Sequence, residues 1–96
     1  MALPDARMSA ELLLLERAQA SADSGKGAVA LDLLSEHMRR FGPRSTLSPE
    51  ARYLKLEVLA KMGRQAEARA VAREILAHDA NGPHASRARH VLEEEK

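Results

Sequence analysis

The sequence predicts an all-α protein, a single domain over residues 1–96 built from about five antiparallel helices. The chain is rich in Ala, Leu, Glu and Arg, which favour helices, and aromatic residues make up only 2% of it. In addition, Pro49 and Ala51 recur 34 residues later as Pro83 and Ala85. This is the period of a repeat made of two helices, whose units stack to bury their apolar faces. We therefore expect helix pairs arranged in an array.

The first two helices are expected at about 4–22 and 26–41. Pro4 and Asp5 suit a first helical turn, and Gly25 suits the left-handed position after a helix end. Gly42 and Pro43 end the second helix. The residues expected to face inward recur at steps of three and four. They are Met8, Glu11 or Leu12, Leu14 or Leu15, Ala18, Ser21 or Ala22, and then Ala30, Leu33, Leu34, His37, Met38 and Phe41.

The other three helices are expected at about 49–62, 64–78 and 83–95. Ser48 and Pro49 suit the start of the third helix, and Gly63 closes it as Gly25 closes the first. Pro83 begins the fifth helix, whose polar end suits a terminal cap. The expected inward residues are Ala51, Leu54, Val58, Leu59, Met62, Ala68, Val71, Ala72, Ile75, Leu76, Ala85, Ala88 and Leu92.

A second spacing supports the repeat, because Gly25 and Gly63 are 38 residues apart, as are Ala30 and Ala68. The excess over 34 lies in the link Arg44–Leu47. Glycine at the turn, a small residue in the second helix and a proline before the next unit together resemble the tetratricopeptide repeat (TPR) family, in a degenerate form typical of bacterial proteins. This resemblance implies a right-handed superhelix of two helix pairs plus a C-terminal capping helix. The aromatic residue that the family usually has early in its first helix is replaced by Leu14 and Arg52.

Composition excludes several classes of protein. The chain has no cysteine, so it has neither a disulfide framework nor a thiolate nucleophile. Its net charge of +1 gives no basic or acidic tail, and no apolar run is long enough to span a bilayer. We expect no membrane insertion. As given, the chain is expected in the cytoplasm; if it is a piece of a longer exported protein, the periplasm or cell envelope is expected instead.

No pattern of catalytic or metal-binding residues is present. His84 and His90 lie six apart and face different sides of a helix, so they cannot chelate one ion. Ser24–Gly27 lacks the strand and the spacing of a phosphate-binding loop. We therefore predict no enzyme activity, no metal and no cofactor. Arg39, Arg40 and Arg44 could contact nucleic acid, but the neighbouring acidic residues and the low net charge argue against it.

The predicted function is a protein-protein interaction scaffold. In the TPR family the first helices of the pairs line a concave groove that binds a peptide or protein, and the resemblance assigns residues to that groove. They are Leu12, Leu15, Gln19, Glu50, Tyr53, Glu57, Lys61, His84, Arg87 and Val91. Tyr53, the only tyrosine, is the expected anchor, and burial of its ring in the core is the alternative.

The alternative is a structural role. Leu12–Leu15 sweeps about 300° around a helix, so one packing partner cannot cover it. This run could mediate a homodimer or pack against the rest of a larger protein.

Overall fold

A computed structural model describes residues 6–94 of the chain, with side chains from Ser9 onward. Within this range the protein is all-α and contains no strand. Its helices are α1 (Ala6–Asp23), α2 (Gly27–Phe41), α3 (Ser48–Lys61), α4 (Gln65–His78) and α5 (Ala85–Glu93). The expected starts at Pro4 and Asp5, the side chain of Met8 and the end at residue 95 lie outside what is described.

The chain forms two compact units, one up to Ala51 and one from Arg52 onward. The boundary falls inside α3, so that helix begins in the first unit and continues into the second. In the first unit α1 packs against α2, and in the second α4 packs against α5.

The turns after α1 and α3 have the same geometry. Gly25 has φ 76° and Gly63 has φ 75°, which confirms the left-handed conformation expected for both. After α1, the Lys26 N–H donates to Ser21 O (2.8 Å) and the Gly25 N–H to Ala22 O (3.1 Å). After α3, the corresponding bonds run from Arg64 to Leu59 (2.9 Å) and from Gly63 to Ala60 (3.1 Å). Both ends are Schellman motifs, in which a glycine lets the chain reverse while the last carbonyls stay paired.

The apolar core of the first unit follows the predicted stripes closely. Its buried residues are Leu14, Leu15, Ala18, Ala30, Leu34, Phe41 and Ala51. The sequence offered Glu11 or Leu12 for one inward position of α1, and the structure buries Glu11 and exposes Leu12. Met38, expected inside, is also exposed. Since one residue is a 100° step on a helix, the edge of a stripe is where such assignments fail.

The core of the second unit is again mostly aliphatic. Its buried residues are Leu54, Leu56, Val58, Leu59, Ala68, Val71, Ala72, Ile75, Ala85, Ala88 and Val91. Met62 was expected inside and is exposed, and Val91 was assigned to the groove and is buried. Arg52 is buried, with its Nε 3.6 Å from Glu74 Oε1 on α4. A buried guanidinium needs such a partner to offset its lost hydration.

Candidate binding surface

A half-buried aromatic pair lies between α3 and the start of α5. The rings of Tyr53 and His84 stack with their centroids 4.3 Å apart and their planes 16° from parallel. The turn before α5 places His84: the Asn81 N–H donates to Asp79 Oδ1 (3.3 Å), and the Ala85 N–H donates to Gly82 O (3.2 Å). Asx turns of this kind reverse the chain tightly.

An ion pair lies one helical turn further along both helices. Glu57 is four residues after Tyr53 and Arg87 is three after His84, so each pair shares a helix face. Arg87 Nε donates to Glu57 Oε1 over 2.5 Å, and Arg87 Nη1 is 3.8 Å from Glu94 Oε1. The hydrogen bond to Glu57 raises the pKa of Arg87. Partial burial opposes this, and the charges of Glu57, Glu94 and Tyr53 reinforce it.

We call Tyr53, Glu57, His84 and Arg87 the Tyr53 cluster. All four were assigned to the groove from the sequence, and the structure brings them together within the second unit. The cluster combines an aromatic surface with a charged rim, and its members are half-buried. Half-burial leaves part of each side chain accessible to a ligand.

The other residues that the sequence assigned to the groove lie outside the Tyr53 cluster, some exposed and some buried in the core. Lys61 is exposed on α3, and Glu50 is exposed near the start of that helix. In the first unit Leu12 is 47% exposed, and Gln19 is exposed and donates to Asp23 Oδ1 over 2.9 Å. Leu15 is buried in the core, as Val91 is in the second unit, so neither offers binding surface.

The main polar site that sequence reasoning missed is a buried network in the first unit. Glu11 of α1 is only 3% exposed and His37 of α2 only 1%, and Glu11 Oε1 lies 2.8 Å from His37 Nε2. Ser45 Oγ donates to the same Glu11 oxygen, and the Leu47 N–H also bonds to Glu11. Ser45 Oγ is 2.7 Å from Ser48 Oγ, which donates to Gly42 O over 2.9 Å.

We call Glu11, His37, Ser45 and Ser48 the Glu11 network. Burial would raise the pKa of Glu11, but the hydrogen bonds from Ser45 and His37, the His37 charge and the Leu47 N–H outweigh it, and the pKa is lowered. The carboxylate thus holds α1, α2 and the link before α3 together.

The order of groups in the network does not suit nucleophilic catalysis. In a catalytic triad the imidazole lies between the hydroxyl and the carboxylate, so that it can accept the hydroxyl proton. Here the carboxylate lies between Ser45 and His37. His37 Nδ1 is buried and makes no hydrogen bond. The geometry therefore indicates a structural role for these residues.

One sequence signal pointed to the network. Glu11 was one of two candidates for an inward position of α1, and His37 stood in the apolar stripe of α2. Two ionisable residues on facing apolar stripes indicate a buried pair, because neither could be buried alone without a large cost in lost hydration.

Comparison with known proteins does not identify the chain. It matches no protein-family model, and no curated protein or solved structure shows significant similarity to it. In the part that the structure describes, no three His, Asp or Glu residues are placed to hold a metal ion. None of the helices in this part has the length and apolarity needed to cross a bilayer.

Proposed function

We propose that this protein is a non-catalytic interaction module, whose binding surface for a protein or peptide partner is centred on Tyr53. The stacking of the half-buried Tyr53 ring on His84, beside the Glu57–Arg87 ion pair, carries this proposal. Tyrosine and arginine are enriched at the residues that dominate binding energy, because they combine a large apolar surface with polar groups. His84 already orders the Tyr53 ring, so little entropy remains to be lost on binding.

The proposed setting of this surface is a degenerate TPR-like superhelix. Two observations support it: the Gly25 and Gly63 turns share one geometry, and the small residues Ala30 and Ala68 are both buried, 38 residues apart. In such an array the first helices of the pairs form the binding face.

The test starts with a partner isolated by pull-down and then purified. Truncation of an anchor residue costs about 2 kcal/mol or more of binding free energy. Tyr53→Ala should therefore raise the Kd at least about tenfold in calorimetry while the far-ultraviolet dichroism and the Tm are retained. The matched control is Arg73→Ala, an exposed residue of α4. Equal effects of the two substitutions would overturn the assignment of the surface.

A second candidate function is self-association through α1. Leu12 and Leu13 are 47% and 51% exposed, and Val29 and Met38 of the same unit are exposed as well. Large apolar side chains left exposed are candidates for an interaction site where they lie together. Light scattering should show a concentration-dependent dimer that Leu13→Glu abolishes. A protein that stays monomeric at millimolar concentration, with Leu13→Glu fully tolerated, contradicts this role.

A further inference from the structure

We propose that the Tyr53 cluster binds a basic side chain, lysine or arginine, of the partner. The inference rests on the proposed function and names the chemistry that the surface selects. It follows from the local charge, from the exposure of the charged groups and from the aromatic stack beside them.

The local charge is negative. Arg87 contacts the carboxylates of both Glu57 and Glu94, so among these three paired side chains one negative charge is in excess, and the exposed Lys61 one turn beyond Glu57 pairs with neither carboxylate. The whole chain carries +1, so this excess belongs to the site and not to the protein. A preference for cations would thus originate here and not in general electrostatic attraction.

The carboxylate of Glu94 is also more accessible than the guanidinium of Arg87, while Glu57 and Arg87 are about equally exposed. Glu94 is 51% exposed and Glu57 is 36% exposed, against 32% for Arg87. An acidic ligand would have to compete with Glu57 and Glu94 for the guanidinium and would bring a third carboxylate beside them. A basic ligand adds a second cation where two carboxylates share one, and gains charge-assisted hydrogen bonds.

The aromatic stack supplies the apolar part of the site. Tyr53 and His84 form a flat surface within the same cluster as Glu57 and Arg87. Lysine and arginine have aliphatic stems that pack on apolar surface while the charged head stays in water. A cation within about 6 Å of a ring centroid is attracted by the ring itself. Stem and head would then contact the stack and the carboxylates respectively.

Two synthetic probes test the inference: a short capped peptide of alternating lysine and alanine, and its counterpart with glutamate in place of lysine. Each is titrated into the full chain while backbone amide resonances are followed. The lysine peptide is expected to shift the amides of Tyr53, His84 and Arg87, and the glutamate peptide to leave them unchanged. Tighter binding of the glutamate peptide at these residues, or no shift there with either peptide, overturns the inference.

Charge variants give effects of opposite sign. Glu94→Gln should weaken the lysine peptide about threefold, and Arg87→Gln should strengthen it by a similar factor, as expected for a partly screened charge. The control is Glu67→Gln on α4, since Glu67 is exposed like Glu94 and is also paired with an arginine, Arg64. It should leave the affinity unchanged. Effects of equal sign in the Glu94 and Arg87 variants overturn the inference.

The two proposals fail separately. If Tyr53→Ala weakens the purified partner but the glutamate peptide is preferred, the interaction surface stands and the basic ligand is wrong. If Tyr53→Ala has no more effect on the partner than Arg73→Ala, the surface itself is wrong, and the ligand assigned to it is wrong as well.

Discussion

Each of the two units contains an acidic residue paired with a basic one on another helix, in opposite environments. In the first unit Glu11 and His37 are 3% and 1% exposed, and in the second Glu57 and Arg87 are 36% and 32% exposed. The buried pair depends on its own contact and on the donors around Glu11 to offset its lost hydration, so its residues serve the fold. The half-exposed pair contributes little to folding and leaves its charges accessible to a ligand. Burial, and not residue type, separates the structural pair from the candidate binding site.

The internal repeat shows what the buried pair requires. At the 38-residue spacing, His37 of the first unit corresponds to Ile75 of the second, and both are buried. Ile75 needs no polar partner, whereas His37 needs Glu11, and Glu11 in turn needs donors. Ser45 and the N–H of Leu47 supply these donors from the link Arg44–Leu47. This link accounts for the four residues by which the 38-residue spacing exceeds the 34-residue period. The buried polar pair therefore depends on the longer link, which supplies the donors that Glu11 needs.

The largest expected effect comes from removing the central carboxylate. Glu11→Ala removes the acceptor of the buried His37 and of the partly buried Ser45 and Leu47, so the free energy of unfolding should fall by about 3 kcal/mol. Urea denaturation measures this. Glu16→Ala, at an exposed position of the same helix, is the control and should change stability by less than about 0.5 kcal/mol. Similar losses in the two variants would mean that the network is not a determinant of stability.

Acid should remove the same contribution gradually. The pKa of Glu11 in the folded state lies below its ordinary value of 4.5, so between the two values the unfolded chain binds more protons. The stabilisation is therefore complete above pH 4.5 and is lost as the pH falls through the folded pKa. Unfolding free energies measured from neutral to acidic pH should fall more steeply for the wild type than for Glu11→Gln, which does not titrate. Parallel curves would contradict the lowered pKa.

The glycine turns should respond alike in both units, although the polar pairs differ. A Cβ built on Gly25 or Gly63 meets no atom within 4 Å, so alanine at either position is disfavoured only by the positive φ. Each substitution should cost about 1 kcal/mol in the free energy of unfolding. Thermal denaturation of the two variants checks this, and a cost confined to one of them would show that the turns are not equivalent.

The smallest expected effect on stability is that of the exposed pair. Glu57→Ala should lower the free energy of unfolding by less than about 1 kcal/mol, because solvent screens the interaction and Glu94 still lies near Arg87. The difference from the wild type should shrink further in about 1 M salt, where the Debye length is about 3 Å. A loss as large as that for Glu11→Ala would mean that this pair too serves the fold.

Much of the fold was predictable because its signals are local. Apart from the start of α1 and the end of α5, which were expected outside the described residues, the helix bounds lie within a few residues of those expected, since apolar periodicity and glycine or proline at the breaks act over one or two turns. The positive φ of Gly25 and Gly63 was predictable for the same reason. The family resemblance placed Tyr53, Glu57, His84 and Arg87 on one face, and the structure shows Tyr53 stacked on His84 and Glu57 paired with Arg87; their role as a binding surface stays a prediction.

The tertiary structure decided which residues at the edges of the stripes are buried, and which polar groups meet. Neighbouring residues differ by only 100° around a helix, so periodicity left Glu11 and Leu12 equivalent and placed Met62 inside, where it does not lie. The family resemblance placed Val91 in the groove, but Val91 is buried. The partners of Glu11 are 26 and 34 residues away, at His37 and Ser45. Contacts over such separations depend on how helices and links pack in space, and a pattern along the chain does not contain that information.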